Sequence, residues 1–300
     1  MSVLVVGSIA LDDIETPFGR REGVLGGSAS YFSIAASNFT EVKVVAVVGE
    51  DFPDDHIKMF ESYNIDLQGV KKAEGETFRW QGSYGYDLSE ALTLGTYLNV
   101  FETFDPVIPD EYSQEDYVFL ANIDPELQLN VLDQVKAPKV VALDTMNFWI
   151  ENKPLELKKV LERVNILIIN DSEARELAKE PRITKAARII MDMGPEVLIV
   201  KRGEYGALLF SSDGIFWAPS YPLEEVVDPT GAGDSFAGGF MGYIAGNNID
   251  DTVGFKKAVV HGSVIASFTV EDFSVDRLIF LKKAEIETRY QAFLKLSDLD

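Results

Sequence analysis

The chain has 300 residues, 46% of them hydrophobic and 25% charged, an ordinary balance for a globular protein with a sizeable core. A net charge of −22 argues against nucleic acid or an anionic membrane as a partner, and the absence of cysteine removes disulfides, thiol catalysis and zinc–thiolate sites. No run approaches the roughly twenty apolar residues of a membrane span, and no basic segment precedes the short apolar run at the start, so a cytoplasmic protein is expected.

Residues 3–7 are apolar and mostly β-branched, the pattern of a strand covered on both faces. Ligands of open α/β sheets bind beyond the carboxyl ends of the strands. Asp12 and Asp13, which follow this strand on an expected loop, are therefore candidates to accept hydrogen bonds from a polyol. Residues 14–24 are turn-rich and suit a short hairpin arm. Leu25-Gly26-Gly27 leads into a small-residue helix, and paired glycines there serve a hinge, a close substrate approach or simply a tight entry turn. Residues 42–48 read as a second buried strand and 53–63 as an amphipathic helix. The stretch 76–104 is polar and aromatic with approximate alternation, which predicts antiparallel strands with one wet face. Its aromatics, Trp80 and Tyr84 among them, either stack on a ring or form a small core of their own.

From Glu115 onward, strands and helices alternate, which predicts a parallel sheet covered on both faces. Asn122, Asn147, Phe148 and Trp149 fall beyond strand ends. Asn170-Asp171-Ser172-Glu173 marks a strand-to-helix junction. It reads as a capping box or as an amide and a carboxylate able to hold waters of a hydrated Mg²⁺. Lys201-Arg202-Gly203-Glu204-Tyr205-Gly206 is a glycine turn between two strands. Residues 251–268 read as a helix, in which His261 is a partly buried helix residue without a chemical role.

The most informative stretch is Val226-Val227-Asp228-Pro229-Thr230-Gly231-Ala232-Gly233-Asp234-Ser235-Phe236-Ala237-Gly238-Gly239-Phe240. A small-residue loop runs into a helix whose first N–H groups lack intrahelical partners and lie at the positive end of the dipole, which makes a phosphate or oxyanion site. Asp234 sits at its edge, where a carboxylate is useful if it takes a proton from an attacking hydroxyl. The helix start should depress its pKa and incoming phosphates should raise it, and Asp234 is expected to be ionised before reaction.

This stretch, with Gly26-Gly27, Asn170/Glu173 and the turn at Lys201 in the same order along the chain, resembles the ribokinase family, the carbohydrate kinases of phosphofructokinase-B type. The resemblance implies a three-layer α/β/α sandwich with a mainly parallel central sheet, all in one domain over residues 1–300. A small β-sheet lid would be drawn from about 14–24 and 76–104. It implies an ATP- and Mg²⁺-dependent kinase acting on a hydroxyl of a small carbohydrate, a sugar or sugar acid. A nucleoside kinase and a non-catalytic binding sensor on the same scaffold are the alternatives. In that family's pattern Asp234 is the base, and the N–H groups of Gly231, Ala232 and Gly233 hold the transferring phosphoryl group. Asp12, Gly26 and Gly27 bind the substrate, Lys201, Gly203 and Gly206 lie on the nucleotide side, and Asn170 and Glu173 handle Mg²⁺. Tyr31 stands where the family commonly has Asn. A homodimer through the lid is a further implication.

Overall fold

The computed structural model describes residues 1–296. Thirteen strands among them form two sheets: β1 (Ser2–Val6), β2 (Ala10–Thr16), β3 (Gly19–Gly26), β4 (Glu41–Val48), β5 (Ile65–Lys72), β6 (Phe78–Tyr84), β7 (Ala91–Tyr97), β8 (Tyr117–Leu120), β9 (Val140–Leu143), β10 (Ile166–Asn170), β11 (Val197–Lys201), β12 (Ala207–Ser211) and β13 (Gly214–Ala218). The large sheet has nine strands in the order β13-β12-β11-β10-β9-β8-β1-β4-β5. It is parallel from β5 through β11, and β12 and β13 close one edge as antiparallel strands.

The alternation of side chains along each strand splits the core in two. Val3 and Val5 of β1 face one layer and Leu4 and Val6 the other. The first layer holds helices α1 (Ser28–Ser37) and α2 (Asp54–Ser62). The second holds α3 (Pro125–Gln134), α4 (Asn147–Asn152), α5 (Pro154–Leu161), α6 (Asp171–Ala178) and α7 (Ile183–Met191). The chain then returns to the first layer with α8 (Ala232–Gly246), α9 (Thr252–Thr269) and α10 (Lys283–Lys295). Burial on both faces is why the central strands are continuous Val/Ile/Leu runs rather than alternating ones. The chain winds outward from β1 in both directions, to β4 and β5 on one side and to β8 through β11 on the other. The β1/β8 boundary is therefore the topological switch point, where a crevice opens beyond the carboxyl ends.

The second sheet has four strands in the order β3-β2-β6-β7. Its hairpins β2–β3 and β6–β7 are antiparallel, but β2 pairs with β6 in parallel, so the sheet is mixed rather than wholly antiparallel. It also begins earlier and ends sooner than the sequence suggests. Residues 99–103 form a 3₁₀ turn, and Val100 and Phe104 drop into the main core on the α3–α7 side. Asp12 is inside β2, not on a loop after β1. Both roots of the sheet lie at the carboxyl end of the large one. Among the described residues no helix is long and apolar enough to cross a membrane.

Candidate active site

Three parallel strands end at the crevice with polar side chains: β9 is followed by Asp144, β10 ends in Asn170 and β11 in Lys201. The Lys201 ammonium lies 3.1 Å from Asp144 Oδ2, and Asp144 is fixed further by the Thr145 N–H at 2.8 Å. Lys201 also reaches the Gly231–Asp234 segment, because a Cβ built on Gly233 falls 3.0 Å from its Nζ. Burial pulls the lysine down, but Asp144, Glu173 and Asp234 together outweigh it and hold the ammonium above the usual lysine range. It stays charged among three carboxylates.

Asn170 and Glu173 form the reciprocal capping box of α6, the Asn170 N–H donating to Glu173 Oε2 and the Glu173 N–H to Asn170 Oδ1, both at 2.8 Å. Burial first and Asp144 second push the Glu173 carboxyl up to about 7. No cluster of three or more His, Asp or Glu side chains able to hold a metal ion by itself occurs among the described residues. The pair fits a cation that keeps its own water shell, with one half-titrated carboxylate at hand, better than one caged by protein.

The start of α8 lies beside these groups. Gly231 is its N-cap, with φ of 72°, a left-handed value costly for a residue with a Cβ. A Cβ there meets the Tyr31 ring at 2.3 Å, so the loop rests directly on that buried ring. Asp234, in the first turn, is pushed up to about 7 by burial and then by Asp144, against the pull of Lys201. The expected depression by the helix start does not occur: a single partial dipole charge is outweighed by desolvation next to a second carboxylate.

Across the crevice, Asp12 projects from β2 over Gly26, whose missing Cβ leaves room for the carboxylate: a Cβ built there meets Asp12 Oδ2 at 1.8 Å. Asp12 is 3% exposed and Oδ1 has no hydrogen-bond partner among the described residues; the same is true of the Tyr31 hydroxyl. Buried polar atoms are rarely left unpaired without cause, and a ligand is one such cause. Burial raises Asp12 to about 7 while backbone groups of Gly27 and Trp80 pull it back, and Asp228 and Asp234 add repulsion. Tyr84 of β6 enters from above, hydrogen-bonded to Thr230 at 3.2 Å, and burial raises its phenol to about 12.

One crevice therefore gathers Asp234, Gly231, Ala232, Gly233, Lys201, Asn170 and Glu173 at one end and Asp12, Gly26 and Gly27 at the other. Gly203 and Gly206 shape the turn after Lys201, with left-handed φ values of 53° and 83°. Asn122 accepts from the Trp149 indole at 3.0 Å, and Asn147 begins α4. His261 is sandwiched between Tyr243 and Tyr290, at 4.0 and 4.3 Å between ring centroids. A recess of about 870 Å³ elsewhere, between β4, β5 and α2, contains none of the site residues. The sequence reading gave no role to Asp144, Asp228 or Thr230, and took Tyr84 as a stacking or core aromatic rather than a hydrogen-bond partner of Thr230. For Asp144 the signal was present, since it follows an apolar strand just as Asn170 and Lys201 end theirs.

Comparison with known proteins gives a consistent picture. Residues 7–278 match the model of the pfkB family carbohydrate kinases. A cytidine kinase of Thermococcus kodakarensis is 31% identical over 262 residues, spanning 84% of this chain and 92% of that protein. A nucleoside kinase of Burkholderia thailandensis, solved in complex with inosine, superposes with a TM-score of 0.79 at 18% identity, over 98% of this chain and 99% of that one. An E. coli ribokinase II candidate in complex with ATP and Mg²⁺ gives a TM-score of 0.79 at 20% identity, over 97% and 99%.

Proposed function

Because the chain belongs to the pfkB family of carbohydrate kinases, and is thus a phosphotransferase acting on a hydroxyl group, we propose that it carries the terminal phosphoryl group of ATP to a nucleoside hydroxyl. The observation that carries the proposal is the meeting in one crevice of Asp234, at a helix start beside Lys201, with Asp12 facing it from the small sheet.

In this reading the small sheet is a lid, and the acceptor lies beneath it with its hydroxyls on Asp12. Asp234 takes the proton of the attacking hydroxyl as the new O–P bond forms and the bond to ADP breaks. A base held near 7 is half ionised at neutral pH, the range in which proton acceptance is most effective. The N–H groups of Gly231, Ala232 and Gly233, with Lys201, hold the charge of the transferring group. Mg²⁺, when bound, neutralises phosphate charge; Asn170 and Glu173 would hold its waters, and Gly203 and Gly206 would border the nucleotide.

Two points favour a nucleoside over the other acceptors. The relative with the highest identity quoted above is a cytidine kinase. The charges that act most on Asp12, Tyr31 and Tyr84 are those of acids and phenols, which favours a neutral acceptor over a carboxylated or phosphorylated one. A free neutral sugar is the second reading, since Asp12 grips any polyol. The free edge of β7, with Leu92, Leu94 and Tyr97 exposed, supports a homodimer through this sheet.

The test is a coupled ADP-release assay with MgATP and a panel of nucleosides, free sugars, sugar acids and phosphosugars. Turnover with nucleosides that Asp234→Asn abolishes is the expected result. Turnover restricted to sugar acids or phosphosugars would overturn the acceptor assignment.

A further inference from the structure

The loop preceding α8 is tied to the small sheet twice, and the two ties differ in kind. At its base the Asp228 carboxylate, 1% exposed, accepts from the Thr230 N–H at 2.9 Å and the Ser274 N–H at 3.2 Å. The Ser274 hydroxyl in turn donates to the carbonyl of Leu25, beside Gly26-Gly27 at the root of β3. The other root is pinned as well, Thr77 bonding to Asp51 at 2.7 Å just before β6 begins. The second tie is a single neutral hydrogen bond, from Thr230 to Tyr84 at 3.2 Å. Tyr84 is the last residue of β6, at the far end of the sheet, roughly 20 Å from the root at the usual rise per strand residue. A swing of the sheet about its roots breaks the second tie and spares the first.

We infer that Tyr84 is a positioning residue for the transfer reaction: its phenol latches the tip of the closed small sheet to Thr230 and so holds the Gly231–Asp234 helix start in its working place. Thr230 directly precedes Gly231, whose backbone rests on the Tyr31 ring, so displacement of Thr230 is felt where the phosphoryl group is held. Tyr84 also lies in the field of Asp12, Asp228 and Asp234, above the path an acceptor hydroxyl takes to the base. With the sheet open, as it must be to admit an acceptor, the helix start lacks one of its two ties. It regains it when the sheet shuts, so the loop is fully ordered only when water is excluded. The inference rests on the reading of the small sheet as a lid and of Asp234 as the base, but the latch can be measured with no acceptor present.

The experiment follows amide hydrogen exchange at residues 230–236 in the unliganded protein, comparing wild type with Tyr84→Phe, Thr230→Val, Thr230→Ser and the Tyr84→Phe/Thr230→Val pair. Tyr84→Phe keeps the ring and removes only the hydroxyl. One neutral hydrogen bond corresponds to about a 3- to 10-fold change. Exchange in this segment should quicken by that factor in Tyr84→Phe and in Thr230→Val, no further in the pair, and not in Thr230→Ser. In turnover, kcat should fall by a similar factor with nucleotide affinity unchanged. Unaltered exchange in Tyr84→Phe, or losses that multiply in the pair, would overturn the latch. If the exchange pattern holds but the wild type transfers phosphate to no acceptor, the latch stands and the kinase reading of the site fails.

Discussion

The two ends of the crevice are built from the same material, buried carboxylates, and balanced in opposite ways. At the end proposed for the phosphates, Asp144, Glu173 and Asp234 surround one lysine, and Lys201 stays charged because of them. At the end proposed for the acceptor, Asp12 and Asp228 accept from hydroxyl and backbone N–H groups and feel the repulsion of other carboxylates, with no cation among the groups that act most on them. A resident cation stabilises an incoming polyanion, whereas an end without one rewards a neutral ligand rich in hydroxyl groups. Asp234 stands where the two meet: burial and then Asp144 raise its pKa against the pull of Lys201, and its own charge reaches Asp12.

The sharpest way to break this comparison is at the meeting point. Asp234→Asn should lower kcat by about 10²–10⁴-fold, the usual cost of losing a general base, while nucleotide binding measured by calorimetry stays close to wild type. Full activity in this variant would remove Asp234 from the chemistry. At the phosphate end, Lys201→Met leaves Asp144 facing the protein interior without its cation. Removing one partner of a buried pair costs about 3–5 kcal/mol, so thermal unfolding should fall by several degrees and MgATP binding should weaken as well. At the acceptor end, Asp12→Asn should cut kcat/KM for the acceptor by roughly 10- to 100-fold through loss of charge-assisted hydrogen bonds, with the Kd for nucleotide unmoved. If Asp12→Asn weakened nucleotide binding as much as acceptor binding, the two ends would not be separate.

The smallest effect concerns pH, and there stability and rate move in opposite directions. Asp12 and Asp234 rise from 3.8 to about 7, so between these values the folded protein holds protons that the unfolded chain has released. Their contribution to stability is complete below the unfolded value and is lost as pH rises through about 7. With Asp234 as the proposed base, transfer needs it deprotonated, so kcat/KM should climb through the same range. The part of the melting-temperature slope due to Asp12 is the difference between wild type and Asp12→Asn over pH 5–8. A difference that is flat with pH would contradict the burial of that carboxylate.

Much of the fold was readable because local signals agreed with the global one. Residues 3–6, 166–169 and 197–200 are apolar on both faces, and only a covered parallel sheet satisfies that pattern. The helix start at Gly231–Asp234 was equally plain. The small sheet was blurred at its margins. A register irregularity between Asp12 and Ile14 breaks the alternation that would have marked β2 as a strand from Ala10 onward. The 3₁₀ turn at residues 99–103 carries apolar residues into the main core, where they look like more of the same sheet. Thr230 and Tyr84 were beyond reach for another reason: 146 residues separate them, and nothing local in either segment specifies the other. The pKa of Asp234 was misjudged because the helix dipole is visible in a sequence, while the burial of the carboxylate and then its neighbour Asp144, delivered by a different strand, are not.

The routing of the small sheet has a consequence for how such an enzyme changes over evolutionary time. Its hairpins are two detours, one between β1 and α1 and the other between β5 and β8, and each leaves and rejoins the main body on the side of the crevice. Either detour can be lengthened, shortened or exchanged without reordering a strand of the nine-stranded sheet or moving the start of α8. On the proposed reading of the site, descent with modification can thus rewrite what the enzyme recognises while the helix start proposed to handle the phosphate is inherited unchanged.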